Sequence, residues 1–139
     1  MTTQEVKTRR VKSDLYLEEF RFIFNDRKAF RVRGAVVISA FIEGQILLLA
    51  KCFLEDKKVV YEPESRQEYF QSLNMLKTNN ILNSEELKQI KQFREERNKA
   101  IHGIFKGMTR NQWQEQNNKV VELGRPIAKN LDKKLYPEE

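Results

Sequence analysis

The sequence predicts an all-α fold, a single-domain bundle of about five helices. Only five glycines and three prolines punctuate 139 residues, which favours long helices over many short strands. Apolar residues recur at three- and four-residue spacings through most of the chain. Four of these blocks open near a residue suited to capping a helix: Ser13, Ser65, Ser84 and Thr109. Hydrophobic residues make up 40% and charged residues 33%, a globular composition on the charged side, and the length suits one domain with a real core.

The elements follow in order. Residues 1–12 form a basic N-terminal tail, and residues 13–135 form the bundle. Ser13 caps a first helix that runs to about Phe30, with Tyr16, Phe20, Ile23, Phe24 and Phe30 as its apolar stripe. The second spans about Arg33 to Leu54 and is apolar nearly all round, which makes it the central helix. Its small residues Ser39, Ala40 and Gly44 would let a neighbour approach closely. A polar loop follows, in which Val59–Tyr61 could form a short extended piece.

A capping box from Ser65 to Glu68 opens the third helix, which presents Tyr69, Phe70, Leu73 and Leu76 and stops at the "KTNN" stretch. Ser84, followed by Glu85 and Glu86, starts the fourth. It runs to His102, with Gly103 placed as its C-terminal cap. Thr109 and Gln112 form another capping box for the fifth helix, which carries Trp113, Val120, Val121, Ile127 and Leu131. Pro126 is expected to kink or split it.

Several function classes are set aside at this level. The single Cys52 permits no internal disulfide and lies in an apolar run, which suits a core residue in a reduced, cytoplasmic compartment. The N-terminus has no apolar signal core. The longest hydrophobic stretch, interrupted by Glu43 and Gln45, is slightly short for a bilayer span and reads as a buried helix, with no membrane implied. One histidine and one cysteine without ligand spacing give no metal site, and nothing implies a cofactor. No Ser-His-Asp or Cys-His arrangement can be argued, and there is no glycine-rich phosphate loop. The net charge of +6 comes from the ends. Residues 1–33 carry nine basic and five acidic side chains, residues 34–103 carry ten of each, and residues 104–139 carry seven against five. That balance suits polyanionic partners or simple solubility.

The fourth helix is the informative one. At about 100° per residue, Leu87, Ile90, Phe93 and Ile101 define an apolar stripe, with Arg97 near its middle and Arg94 inside it. Asn98 and His102, four residues apart, share a face at the border. An arginine on an apolar stripe keeps its charge and needs a partner or an interface. Glu43, which interrupts the second helix, needs the same. Two readings stay open. In one, Arg97 and Glu43 form a structural ion pair inside the bundle. In the other, Arg97 and His102 open onto a groove or dimer seam, with Glu43 steadying the arginine. His102 ahead of Gly103 either bonds the last helix carbonyls or serves a phosphate ligand as proton donor.

"RNKAIH", Arg97 to His102, resembles the R-x4-6-H signature of the HEPN superfamily, the higher eukaryotes and prokaryotes nucleotide-binding domain. Arg97, His102 and Asn98 take the arginine, histidine and following polar positions. The stretch from Tyr69 to Gly103 is similar to that family's helix, short turn and helix ending in RN-x3-HG. "RGAVVISAFIEGQILLLA" resembles its long buried helix with an internal acid. The likeness covers about Arg33 to Gly103.

The resemblance implies a bundle that dimerises and sets two such motifs across a seam. Active members are metal-independent endoribonucleases of toxin–antitoxin or phage-defence systems. Attack of an RNA 2′-OH on the adjacent phosphate requires a proton acceptor, a proton donor and positive charge for the phosphorane. A homodimer supplies two histidines. Arg97 would stabilise the phosphorane, Asn98 would position phosphate or histidine, and Arg94, Lys99 and Lys106 would hold flanking phosphates. A cognate antitoxin or regulatory protein would complete such a system. Antitoxin-modified members carry a tyrosine two residues after the histidine, where this chain has Ile104. The same stretches also resemble the mannitol operon repressor group, helical proteins that act through protein contacts, for which an Arg97–Glu43 structural pair suffices.

Overall fold

Residues 12–25, 34–57 and 68–137 are described by the computed structural model. They form five α-helices: α1 (Asp14–Asn25), α2 (Gly34–Asp56), α3 (Glu68–Thr78), α4 (Ser84–His102) and α5 (Arg110–Leu135). A 3-10 turn, Gly103–Lys106, joins the last two, and no strand occurs among the described residues. The fold is the all-α bundle that the apolar periodicity predicts. Phe30, the Ser65 cap and the Val59–Tyr61 stretch lie outside the described residues.

The predicted centre is at the centre. α2 packs most extensively on α5, and also on α3, α4 and α1. Ile38, Ile42, Ile46 and Leu49 of α2 meet Val120, Val121, Ala128 and Leu131 of α5 in the core. By length and composition α2 could cross a membrane, but half of its most apolar window is buried within the bundle. Cys52 is buried there too. Of the three small residues expected to admit a neighbour, Ser39 is buried, but the close helix approach is not made at Ala40 or Gly44, both of which are exposed. It is made at Gly124 of α5, where an added Cβ would come within 2.7 Å of Ile38 and 2.8 Å of Phe93. α2 is therefore central but keeps one bare face of small and apolar residues.

Several polar groups inside this core are tied to specific partners, while Gln45 Oε1 and Asn117 Nδ2 find none among the described residues. Buried Gln45 donates from Nε2 to the Ala128 carbonyl at 2.9 Å and to the Tyr16 hydroxyl at 3.0 Å. Tyr16 donates in turn to Asp132 at 2.9 Å, and its burial pushes the phenol up from its ordinary range. Asn117 of α5 accepts from the Ala35 backbone N–H at 3.0 Å, so a side chain from another helix satisfies one of the donors that the first turn of α2 leaves over.

Local signals set most helix ends. Ser13 Oγ accepts from the Tyr16 N–H at 3.1 Å. The Thr109–Gln112 box is present in both directions. α4 has an equivalent box, but its cap is Asn83, paired with Glu86, and Ser84 is the first helical residue. Asn80, with φ 59°, closes α3 in a left-handed turn in which Ile81 N–H reaches the Leu76 carbonyl at 2.9 Å and Asn80 N–H that of Lys77 at 3.1 Å.

Gly103 caps the C-terminus of α4 as expected, but in helical geometry: its φ is −58°, and the chain continues through the 3-10 turn to Gly107, which takes the left-handed conformation at φ 79°. Gly103 serves instead by lacking a Cβ, which would collide with the Met108 thioether. Of the kink or split expected at Pro126, the split does not occur: α5 runs unbroken from Arg110 to Leu135. Pro126 and Glu122 are both exposed, so the carbonyl that loses its N–H partner can turn to water.

Candidate functional site

α4 sorts its charged residues by the period of a helix, and its neighbours decide what each one meets. Arg97 reaches α2, where its Nη2 lies 3.5 Å from Glu43 Oε1. The two side chains are 18% and 40% exposed respectively. Glu43 is thus less buried than its place in an apolar run implies, because it stands beside the bare face of α2. The pair is one long contact, and Arg97 Nε is buried without an acceptor among the described residues.

One turn earlier, Arg94 lies over two rings of α3, with its guanidinium carbon 4.3 Å from the Phe70 centroid and 5.0 Å from that of Tyr69. Its Nη1 is also buried with no acceptor. Burial pushes the Tyr69 hydroxyl above its ordinary range; Arg94 and Arg97 pull it back, and Glu43 pushes it further up. Tyr69, Arg94, Arg97 and Glu43 therefore form one electrostatic cluster where α2, α3 and α4 meet.

α3 and α4 each pack on α2 but scarcely on each other, and the space between them is a groove of about 500 Å³. Phe70, Leu73, Leu87 and Ile90 give it apolar walls, with Lys77, Lys91, Arg94 and Asn98 also lining it. Neither Arg97 nor His102 lines it. Phe70 is 56% exposed.

The remaining sequence candidates lie apart from this cluster. His102 is exposed, and it is the last residue of α4. Lys106 is exposed on the 3-10 turn. Lys99 lies 3.2 Å from Glu96, one turn back. Among the described residues, no three His, Cys, Asp or Glu side chains converge as metal ligands would.

Neither family models, curated proteins nor solved structures match this chain. The reading of the site therefore rests on its own geometry.

Two features had no signal in the helical pattern. One is the Glu96 latch: Gln116 donates to its Oε2 at 2.8 Å and to its backbone carbonyl at 2.9 Å, and Lys119 stands 3.4 Å away. This holds the Glu96 carboxyl below its ordinary range, the Gln116 hydrogen bond being the main cause. The other is Trp113, whose indole donates to the Ala100 carbonyl at 3.0 Å and so satisfies one of the last α4 carbonyls beside His102.

Proposed function

We propose that this chain is a non-catalytic, HEPN-like helical interaction module of the cytoplasm that works through protein contacts. The observation that carries this reading is the division of labour on α4. Arg97 is turned to Glu43, His102 stands outside the groove, and the groove between α3 and α4 is apolar with cations beside it. A mostly apolar cleft with a few placed polar groups is the usual form of a binding site. A phosphoryl-transfer centre instead needs its proton-transfer and charge-stabilising groups directed at one point. On an ideal helix Arg97 and His102 are about 140° apart, and here they face different surroundings.

The second reading is a metal-independent endoribonuclease with an Arg97–Asn98–His102 site shared across a homodimer. The unmet Nε of Arg97 and its single 3.5 Å contact with Glu43 favour it, since that guanidinium keeps donors for a phosphate. Lys99, Lys106 and Arg94 are its candidate contacts to flanking RNA phosphates.

Incubating a mixed RNA in EDTA with wild type, Arg97→Ala and His102→Ala separates the two, once each protein is shown to be folded and in the same oligomeric state. The module reading expects no cleavage by any of them. Cleavage by wild type that both variants lose would overturn it and assign the shared nuclease site.

A further inference from the structure

We infer that the α3–α4 groove is the docking site for an amphipathic helix with acidic flanks, contributed by a partner protein; this rests on the module reading and names the partner's chemistry. From Leu87 to Asn98 the α4 wall runs for about 16 Å, roughly three helical turns. Phe70 and Leu73 of α3 face Leu87 and Ile90 of α4 across it. Open walls of this length suit the i, i+3/i+4, i+7 anchors of a helix laid in a groove.

The charges choose the sign of the flanks. Lys77, Lys91 and Arg94 line the groove against one carboxylate, Glu95. Arg94 adds a buried Nη1 with no acceptor among the described residues, held in place by the Phe70 and Tyr69 rings. A fixed donor without an acceptor, beside apolar walls, is matched by a carboxylate next to an apolar anchor. A second copy of this chain is disfavoured, because an isologous contact would set the same cations against each other. Single-stranded RNA is disfavoured too: stacking of successive bases needs several open rings, and of the two rings lining the groove, Phe70 and Tyr69, only Phe70 is exposed, with one face under Arg94.

The test is selection from a displayed library of helix-forming peptides of about 16 residues against the full chain. Measured affinities of the enriched sequences for wild type, Phe70→Ala, Lys91→Glu and His102→Ala follow. Phe70 and Lys91 are exposed, so their variants are expected to fold, and circular dichroism checks this. The expected result is enrichment of Glu- and Asp-flanked sequences with apolar anchors at helical spacing. Their affinity should fall at least about tenfold in Phe70→Ala and in Lys91→Glu, and stay unchanged in His102→Ala. Enriched peptides that are neutral or basic, or that bind both groove variants as well as wild type, overturn the inference and leave the module reading in place. An oligouridylate that binds wild type but not Phe70→Ala assigns the groove to nucleic acid and overturns it as well. No enriched peptide, together with RNA cleavage in EDTA, removes both.

Discussion

The contact that most affects the reading of α4 can be measured by a double-mutant cycle. Arg97→Met keeps an unbranched stem but deletes the guanidinium, Glu43→Gln deletes the carboxylate charge, and the double variant closes the cycle. The structure sets the magnitude. The pair is one contact at 3.5 Å, with Glu43 40% exposed, so solvent screens it, and the coupling should be about 0.5 kcal/mol at physiological salt. Arg97→Met also removes the orphaned Nε donor, which offsets part of the loss, so this variant should lie within about 0.5 kcal/mol of wild type. Arg97→Ala is different because it strips a mostly covered stem. Two methylenes, Cγ and Cδ, at about 0.8 kcal/mol each imply a loss of about 1.5 kcal/mol. In thermal unfolding that corresponds to roughly 6 °C for a chain of this size. Urea unfolding followed by circular dichroism at pH 7 gives all four corners, and repeating it at high salt should erase the coupling. A coupling above about 2 kcal/mol that salt does not touch would refute the half-exposed geometry. An Arg97→Ala variant as stable as wild type would refute Arg97 as a tie between α4 and α2, and with it the main support for the module reading.

Two further outcomes follow from the packing and the latch. Gly124→Ala should cost about 1 kcal/mol, because crowding Ile38 and Phe93 at about 1–3 kcal/mol outweighs a helix-propensity gain of about 1; a variant that melts higher than wild type would mean those side chains yield freely. Glu96, whose folded carboxyl is held below 4.5 by Gln116 and the lysines, contributes stability that is complete above that pH and drains as pH falls through the lower folded value. Glu96→Gln should therefore be less stable than wild type at pH 7 and lose less on acidification below pH 4.5, as read from unfolding curves across the acid range.

The parts of this molecule that the sequence made legible depend on neighbours in sequence. The Thr109–Gln112 box and the Ser13 cap form because a cap reaches only three residues ahead. The Arg97–Glu43 meeting was legible for another reason: each charge interrupts an apolar stripe on its own helix, and two such interruptions in one core invite pairing. Which glycine turns left-handed after α4 was not legible, because Gly103 and Gly107 both follow the helix and the 3-10 turn between them delays the reversal to Gly107. Nor was the bare face of α2 legible, since an apolar residue looks the same in a pattern whether or not a neighbour covers it. The groove depends on the splay of α3 from α4, and the Glu96 latch joins residues about twenty positions apart. Both are tertiary facts, beyond the reach of any local period.

The two arginines of α4 differ in how committed they are, and that difference bears more on function than the motif does. Turning Arg97 from Glu43 toward a phosphate would cost about 0.5 kcal/mol by the reasoning above, so the ion pair alone does not forbid catalysis. His102, the proton-transfer group of the nuclease reading, lies instead at the exposed end of α4. That reading accordingly places its site between two copies. Arg94 needs no rearrangement. Two rings already hold its guanidinium, one Nη is unmet, and the groove it borders is apolar. A donor preorganised in this way loses little freedom when an acceptor arrives. Within a single copy, recognition at Arg94 is thus the shorter step from this structure, and chemistry at His102 the longer one.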